Sequence, residues 1–201
     1  MLLYNCKSIL KPQPEVSIEI LNKNFRKSDS IVKIKIINRS HQNYFFPIDT
    51  TSLAPLCEAM INSPSKNDFF HLRPIITTNT SDTLPRYVET TMLHISRFID
   101  SLEKNCKSEI QHRIILVEAR SEKIIPVYFY LNKQIDSFES FGFQNYDKIG
   151  KEKAYLSFIY PAKHKLNITQ YLSVETLDSL HRKGYSLYNF ELDTKKIPVL
   201  K

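Results

Sequence analysis

Glycine is the scarcest structural residue in this chain of 201, with only Gly142, Gly150 and Gly184, and tryptophan is missing altogether. Three scattered glycines cannot build a loop whose backbone closes around a phosphate. Neither the dinucleotide fingerprint G-x-G-x-x-G nor the nucleotide-binding G-x-x-x-x-G-K-[ST] is present, so those enzyme classes are excluded. The G-x-S-x-G elbow of serine hydrolases is absent as well. No run of eighteen apolar residues offers a membrane-spanning helix. The longest apolar stretch, residues 124–131, is strand-sized and is interrupted by Pro126. Internal repeats and low-complexity tracts are also lacking.

What is present is enough apolar material for a core, 42% of residues against 24% charged, which argues against disorder. The length suits one or two domains. The net charge of +7 lies at the ends: eight basic and four acidic groups in residues 1–50, eleven and twelve in 51–150, nine and five in 151–201. Lys and Arg are interspersed with acids and apolar residues, the pattern of a solvated surface. Nucleic acid is therefore not an expected partner.

The N-terminus reads Met1-Leu-Leu-Tyr-Asn-Cys-Lys-Ser8, followed by Lys11-Pro-Gln-Pro14. Leu3 stands three residues before Cys6, and a polar, proline-stiffened stretch comes next. This resembles the tail of a bacterial lipoprotein signal peptide, in which a cysteine at that spacing is lipidated and becomes the first mature residue. Tyr4 and Asn5 depart from the small residues usual between them, and the basic and apolar parts of a complete signal do not precede them. The resemblance implies a lipid anchor at Cys6, a cell-envelope location, and membrane contact through that anchor only. Residues 1–14 then form a signal remnant and tether, and residues 15–201 a β-rich domain. The opposing reading is an ordinary N-terminus of a cytoplasmic protein.

Cysteine arithmetic bears on the same question. With Cys6 lipidated, Cys57 and Cys106 remain as a candidate disulfide pair, expected in an oxidising compartment. A bridge between them would stabilise by about 3–4 kcal/mol on the loop-entropy model. In a reducing compartment both stay thiols.

The domain opens with alternation of period two, the signature of half-buried strands. Residues 16–21 alternate, 22–29 form a polar hinge, and 31–37 alternate again with Ile34 and Ile36 on one face and Lys33 and Lys35 on the other. Turn chemistry at residues 38–43 leads into a returning strand at 44–48, with Pro47 marking an edge or an end. This order resembles the opening hairpins of small bacterial Ig-like sandwiches, although the Cys and Trp hallmarks of antibody domains are missing. The fold expected is mainly β (α+β): an antiparallel Ig-like sandwich with one inserted amphipathic helix and a short C-terminal helix.

The inserted helix is predicted over residues 86–104, where Val88, Met92, Ile95, Phe98, Ile99 and Leu102 recur at helical spacing. Strand signals resume at 113–118, 123–131 and 154–160. The second helix is predicted from Ser173, an N-cap residue, to Gly184, a C-terminal glycine. Closing strands follow at 185–192 and 197–200.

Chemistry is sparsely signalled. His41, His71, His94, His112, His164 and His181 are far apart in sequence, and no zinc motif exists. No metal, cofactor or catalytic set is nominated. A cysteine nucleophile, Cys57 with His71 or Cys106 with His112, describes the alternative of a cytoplasmic enzyme. The carboxylate pairs Glu118 with Glu122 and Asp136 with Glu139 sit in ordinary turns. The segment 138–146 carries Phe138, Phe141, Phe143 and Tyr146 around Gly142 and reads as a loop with exposed aromatics, the first candidate for binding a partner such as an envelope protein or glycan. With the basic ends, it also suits single-stranded nucleic acid, the last-ranked reading. Asn38, Asn79 and Asn167 begin glycosylation triplets. The leading expectation is a non-enzymatic envelope lipoprotein with a binding or structural role.

Overall fold

A computed structural model describes residues 14–48, 50, 70, 72–79, 83–84, 86–89, 114–134, 140–143, 149, 151–163, 168–170 and 172–200. The described residues are mainly β. Fourteen strands run in chain order: β1 (Val16–Ile20), β2 (Phe25–Arg26), β3 (Ile31–Asn38), β4 (Asn43–Pro47), β5 (Arg73–Thr78), β6 (Arg86–Glu89), β7 (Ile114–Val117), β8 (Ser121–Tyr128), β9 (Asn132–Gln134), β10 (Ser140–Phe143), β11 (Ala154–Tyr160), β12 (Tyr185–Leu187), β13 (Leu192–Asp193) and β14 (Ile197–Leu200). Among the described residues, one α-helix, α1 (Val174–Arg182), precedes β12.

The alternation in β3 is expressed as a burial pattern. Val32, Ile34 and Ile36 are fully buried, whereas Lys33 is exposed. β3 is the middle strand of a sheet ordered β1-β3-β8, antiparallel throughout. Its outer face sets Lys35 between Glu19 at 3.6 Å and Glu122 at 3.5 Å, one from each neighbouring strand. Pro126 lies in β8, which has β3 as its described partner, and a strand edge tolerates the missing donor.

β4 does not return alongside β3, as the turn chemistry predicts. It crosses to a second sheet ordered β12-β4-β7, and Pro47 is its last residue. The third sheet is ordered β13-β11-β14-β2, with β5 on the opposite edge of β11. The fourth is β6-β10-β9. One apolar cluster gathers residues from all four, from Val16 in β1 to Ile197 in β14. Its aromatic centre joins Phe46, Tyr160 and Tyr188, with ring centroids 5.1–6.2 Å apart.

Several expectations are corrected. Residues 86–89 form strand β6, paired with β10, so the inserted helix does not begin at residue 86; residues 90–104 lie outside the described ones. Helical spacing of apolar residues is outweighed there by a ladder to a strand fifty residues away, a tertiary effect that local periodicity does not contain. The pairing is not antiparallel throughout, because β12 runs parallel to β4 and β14 parallel to β2. Long connections allow this where a tight hairpin does not. Residues 140–143 form β10, so the aromatic loop is a strand at its centre. β5 escapes period-two reading because Ile76, Thr77 and Thr78 are buried in succession.

The C-terminal helix forms as its caps dictate. Ser173 Oγ accepts a bond from the Thr176 backbone N–H at 3.2 Å. Glu175 in the first turn has its carboxyl held below the usual range by its own backbone N–H and by the Ser173 hydroxyl. Gly184 ends the helix at φ +78°, the left-handed conformation a side chain disfavours, and its N–H donates to His181 O at 2.8 Å. Leu177 and Leu180 turn inward onto a second, smaller cluster with Phe45, Phe70 and Leu172.

Candidate functional site

Two strand-to-strand crossings are stacked on each other, and their polar groups hold each other. One is residues 38–43 between β3 and β4, the other residues 117–121 between β7 and β8. Asn38 is 1% exposed and stands at the centre. Its Nδ2 donates to Gln42 O at 2.7 Å and to Glu118 O at 2.9 Å, and its Oδ1 accepts from Ser40 N at 3.1 Å and Ser40 Oγ at 2.7 Å. Asn43 Oδ1 accepts from Ala119 N at 2.8 Å, and Arg120 N donates to Ser40 O at 3.1 Å. A buried amide satisfied at both ends fixes the corner, because leaving any of those groups unpaired would cost about 1–3 kcal/mol.

Over this corner lies an open groove of about 430 Å³, lined by Ile37, Asn38, Arg39, Arg120, Ser121 and Glu122. Both arginines are exposed. Arg39 is oriented by Nη1, which donates to Pro14 O at 3.3 Å and Ser17 Oγ at 3.2 Å, while its backbone N–H donates to Glu15 O at 2.7 Å. Arg120 has φ 53°, the only positive value at a non-glycine among the described residues. That left-handed backbone costs a side-chain-bearing residue about 1–2 kcal/mol, and such strain tends to sit at functional turns. Its Nη2 lies 3.1 Å from His41 Nε2. Glu122, the acid of the lining, is engaged by Lys35. The groove thus presents two permanently charged, fork-shaped cations over a rigid floor, a chemistry that suits oxyanions.

Of the residues singled out from sequence, Asn38 and Glu122 line this groove. Cys6, Cys57, Cys106, Phe138 and Tyr146 lie outside the described residues, as do His71, His94, His112, His164, Asp136, Glu139 and Asn167. Phe141 is in β10, opposite Val88 and Lys133. Phe143 is 1% exposed and packs on Phe129 with ring centroids 6.0 Å apart, so it belongs to the core and offers nothing to a partner. Asn38, buried at the corner, is unavailable to a glycan, whereas Asn79 is exposed. His181 stands in the last turn of α1. Among the described residues no three of His, Cys, Asp and Glu converge, and no helix is long and apolar enough to cross a membrane.

Arg39, His41 and Arg120 were not nominated by sequence. Residues 39 and 120 sit in two separate turns, and the signal that joins them is the stacking of those turns in space. Tyr160 and Tyr188 were also missed. Burial first, and then the neighbouring Tyr188, pushes the Tyr160 hydroxyl well above its ordinary range; it donates to Tyr188 O at 2.9 Å. Tyr188 is raised by burial, then by Tyr44 and Glu15.

No family model matches the chain, and no curated protein does. Among solved structures, the chain has a slight similarity to the Escherichia coli chaperone DraB, at 5% identity and a TM-score of 0.27. The overlap covers 92% of this chain and 52% of that one, so the chain spans about half the length of its structural neighbour. At that TM-score the overlap defines neither fold nor function.

Proposed function

We propose that this chain is a non-enzymatic lipoprotein of the bacterial cell envelope, a β-rich module carried on a lipid at Cys6 and acting by binding or as a structural component. The Leu3–Cys6 spacing and the polar stretch with Pro12 and Pro14 motivate the anchor. One structural observation supports it most. The backbone carbonyls of Pro14 and Glu15 are held by Arg39 at the corner of the two stacked crossings. The chain ahead of residue 14 therefore meets the domain at a fixed point, as a leash requires. An Ig-like sandwich is the finer fold reading. The sheet β1-β3-β8 joined by two crossings to β4 and β7 supports it, and the parallel β12–β4 pair is a departure.

The test is metabolic labelling with an alkyne fatty acid in a bacterial host, using the gene with its own upstream codons. Wild type is expected to take up the label and partition into detergent, and Cys6→Ser to do neither. Unlabelled wild-type protein recovered in the aqueous phase would overturn the anchor.

A further inference from the structure

We infer that the two-arginine groove is a phosphate-recognising contact, through which the tether end of the domain lies against anionic lipid head groups. This rests on the tethered reading above and adds to it a second, electrostatic attachment. Position comes first. From Cys6 to Pro14 the chain extends at most about 30 Å, at about 3.6 Å per residue, so a lipid-anchored domain stays close to its bilayer. The groove lies where that leash ends, because Arg39 Nη1 donates to the Pro14 carbonyl at 3.3 Å. The point at which the tether joins the domain is therefore also where Arg39 stands, with Arg120 across the groove.

Chemistry comes second. A guanidinium keeps its charge at every physiological pH and meets two oxygens of one phosphate at once. The contacts that orient Arg39 use Nη1, and that of Arg120 uses Nη2 toward His41, so further N–H groups of both forks remain to face the groove. The acid in the lining, Glu122, is drawn to Lys35 at 3.5 Å, a lysine it shares with Glu19 at 3.6 Å. The floor is fixed by buried Asn38. Ile37, half-buried at the wall, adds an apolar edge suited to the boundary between head groups and acyl chains.

The backbone at Arg120 provides a variant that separates folding from binding. At φ 53° glycine is more at ease than arginine, so Arg120→Gly removes the cation while relaxing the turn. The experiment uses the full chain carrying Cys6→Ser, which removes the lipid and leaves the groove. Sedimentation is measured with vesicles of phosphatidylcholine containing phosphatidylglycerol and with vesicles of phosphatidylcholine alone. The protein is expected to bind the anionic vesicles and to lose that binding as salt rises. Arg39→Gln and Arg120→Gly are each expected to weaken it about five-fold, the effect of one basic residue at such a surface. The thermal midpoint of Arg120→Gly should stay level or rise. Anionic-vesicle binding unchanged in the doubly substituted protein would overturn the proposal, as would equal binding to both vesicles. Binding of inorganic phosphate that depends on both arginines, with no vesicle preference, would assign the groove to a soluble phosphate and overturn the lipid contact. Fatty-acid labelling of wild type reads the anchor separately. A labelled protein whose Cys6→Ser form ignores anionic vesicles overturns the groove alone, and arginine-dependent vesicle binding supports the groove whatever the label shows.

Discussion

Two neighbouring phenylalanines on β4 face two different interiors. Phe46 points into the large cluster that draws on all four sheets, stacked on Tyr188 with ring centroids 5.1 Å apart and edge-on to Tyr160 at 5.6 Å. Phe45 points the other way, into the small cluster under α1 with Phe70, Leu172, Leu177 and Leu180. Both are 0% exposed, and both come from the same strand. The difference is in what each interior unites. The large one ties together segments from both ends of the chain, and the small one seats a single helix of nine residues on the back of the second sheet.

The contrast is broken most forcefully by truncating each ring. Phe46→Ala should cost about 3–5 kcal/mol, the usual penalty for deleting a buried ring from a packed core, and should lower the midpoint of chemical denaturation for helix and strand signals together. Phe45→Ala should sit toward the lower end of that range and release α1, seen as early exchange of amide hydrogens in residues 174–182. If both substitutions shift the whole transition equally and α1 exchanges with the sheets, the two interiors form one cooperative unit and the distinction collapses.

Alkali should separate them next. Tyrosine in an unfolded chain ionises near pH 10, whereas burial holds Tyr160 and Tyr188 in their protonated forms to higher pH. A raised folded pKa contributes stability that is fully present below the unfolded value and is lost as pH climbs toward the folded one. Stability should therefore fall above about pH 10. Tyr160→Phe should flatten that fall, measured by denaturant titration at stepped pH. An equally steep loss in Tyr160→Phe would place the alkaline weakness outside the aromatic centre.

The smallest effect belongs to the helix alone. Ser173→Ala removes the acceptor for the Thr176 N–H and should cost about 1 kcal/mol. Its signature is lowered helicity by circular dichroism, with Tyr188 and Tyr160 remaining packed in the near-ultraviolet spectrum. A near-ultraviolet change as large as that of Phe46→Ala would show that α1 supports the large interior as well.

Legibility in the sequence divides along similar lines. β1, β3 and α1 could be read because their information is local: period-two alternation in 16–21 and 31–37, and a capping serine and terminal glycine around 174–182. β6 and β10 are hidden from a local reading for the same reason. Val88 lies within helical spacing of Met92, and Phe143 beside Gly142 looks like loop, yet each finds its partner across the ladder between residues 86–89 and 140–143. β5 was missed because both of its faces are covered, which removes the alternation a strand usually displays. The groove was invisible because each of its arginines stands in an unremarkable turn.

The sequence alone determined that the chain is β-rich, that residues 31–37 divide into a lysine face and an isoleucine face, and where the last helix starts and stops. Each of these follows from side-chain spacing and from caps within a few residues. The tertiary structure decided which strands pair, that β4 crosses to a second sheet, and that Arg39 and Arg120 share one groove. The reason is physical. The buried amide of Asn38 joins groups 80 residues apart, the ladder of β14 with β2 joins the two ends of the domain, and no local pattern records which distant carbonyl will meet a given N–H.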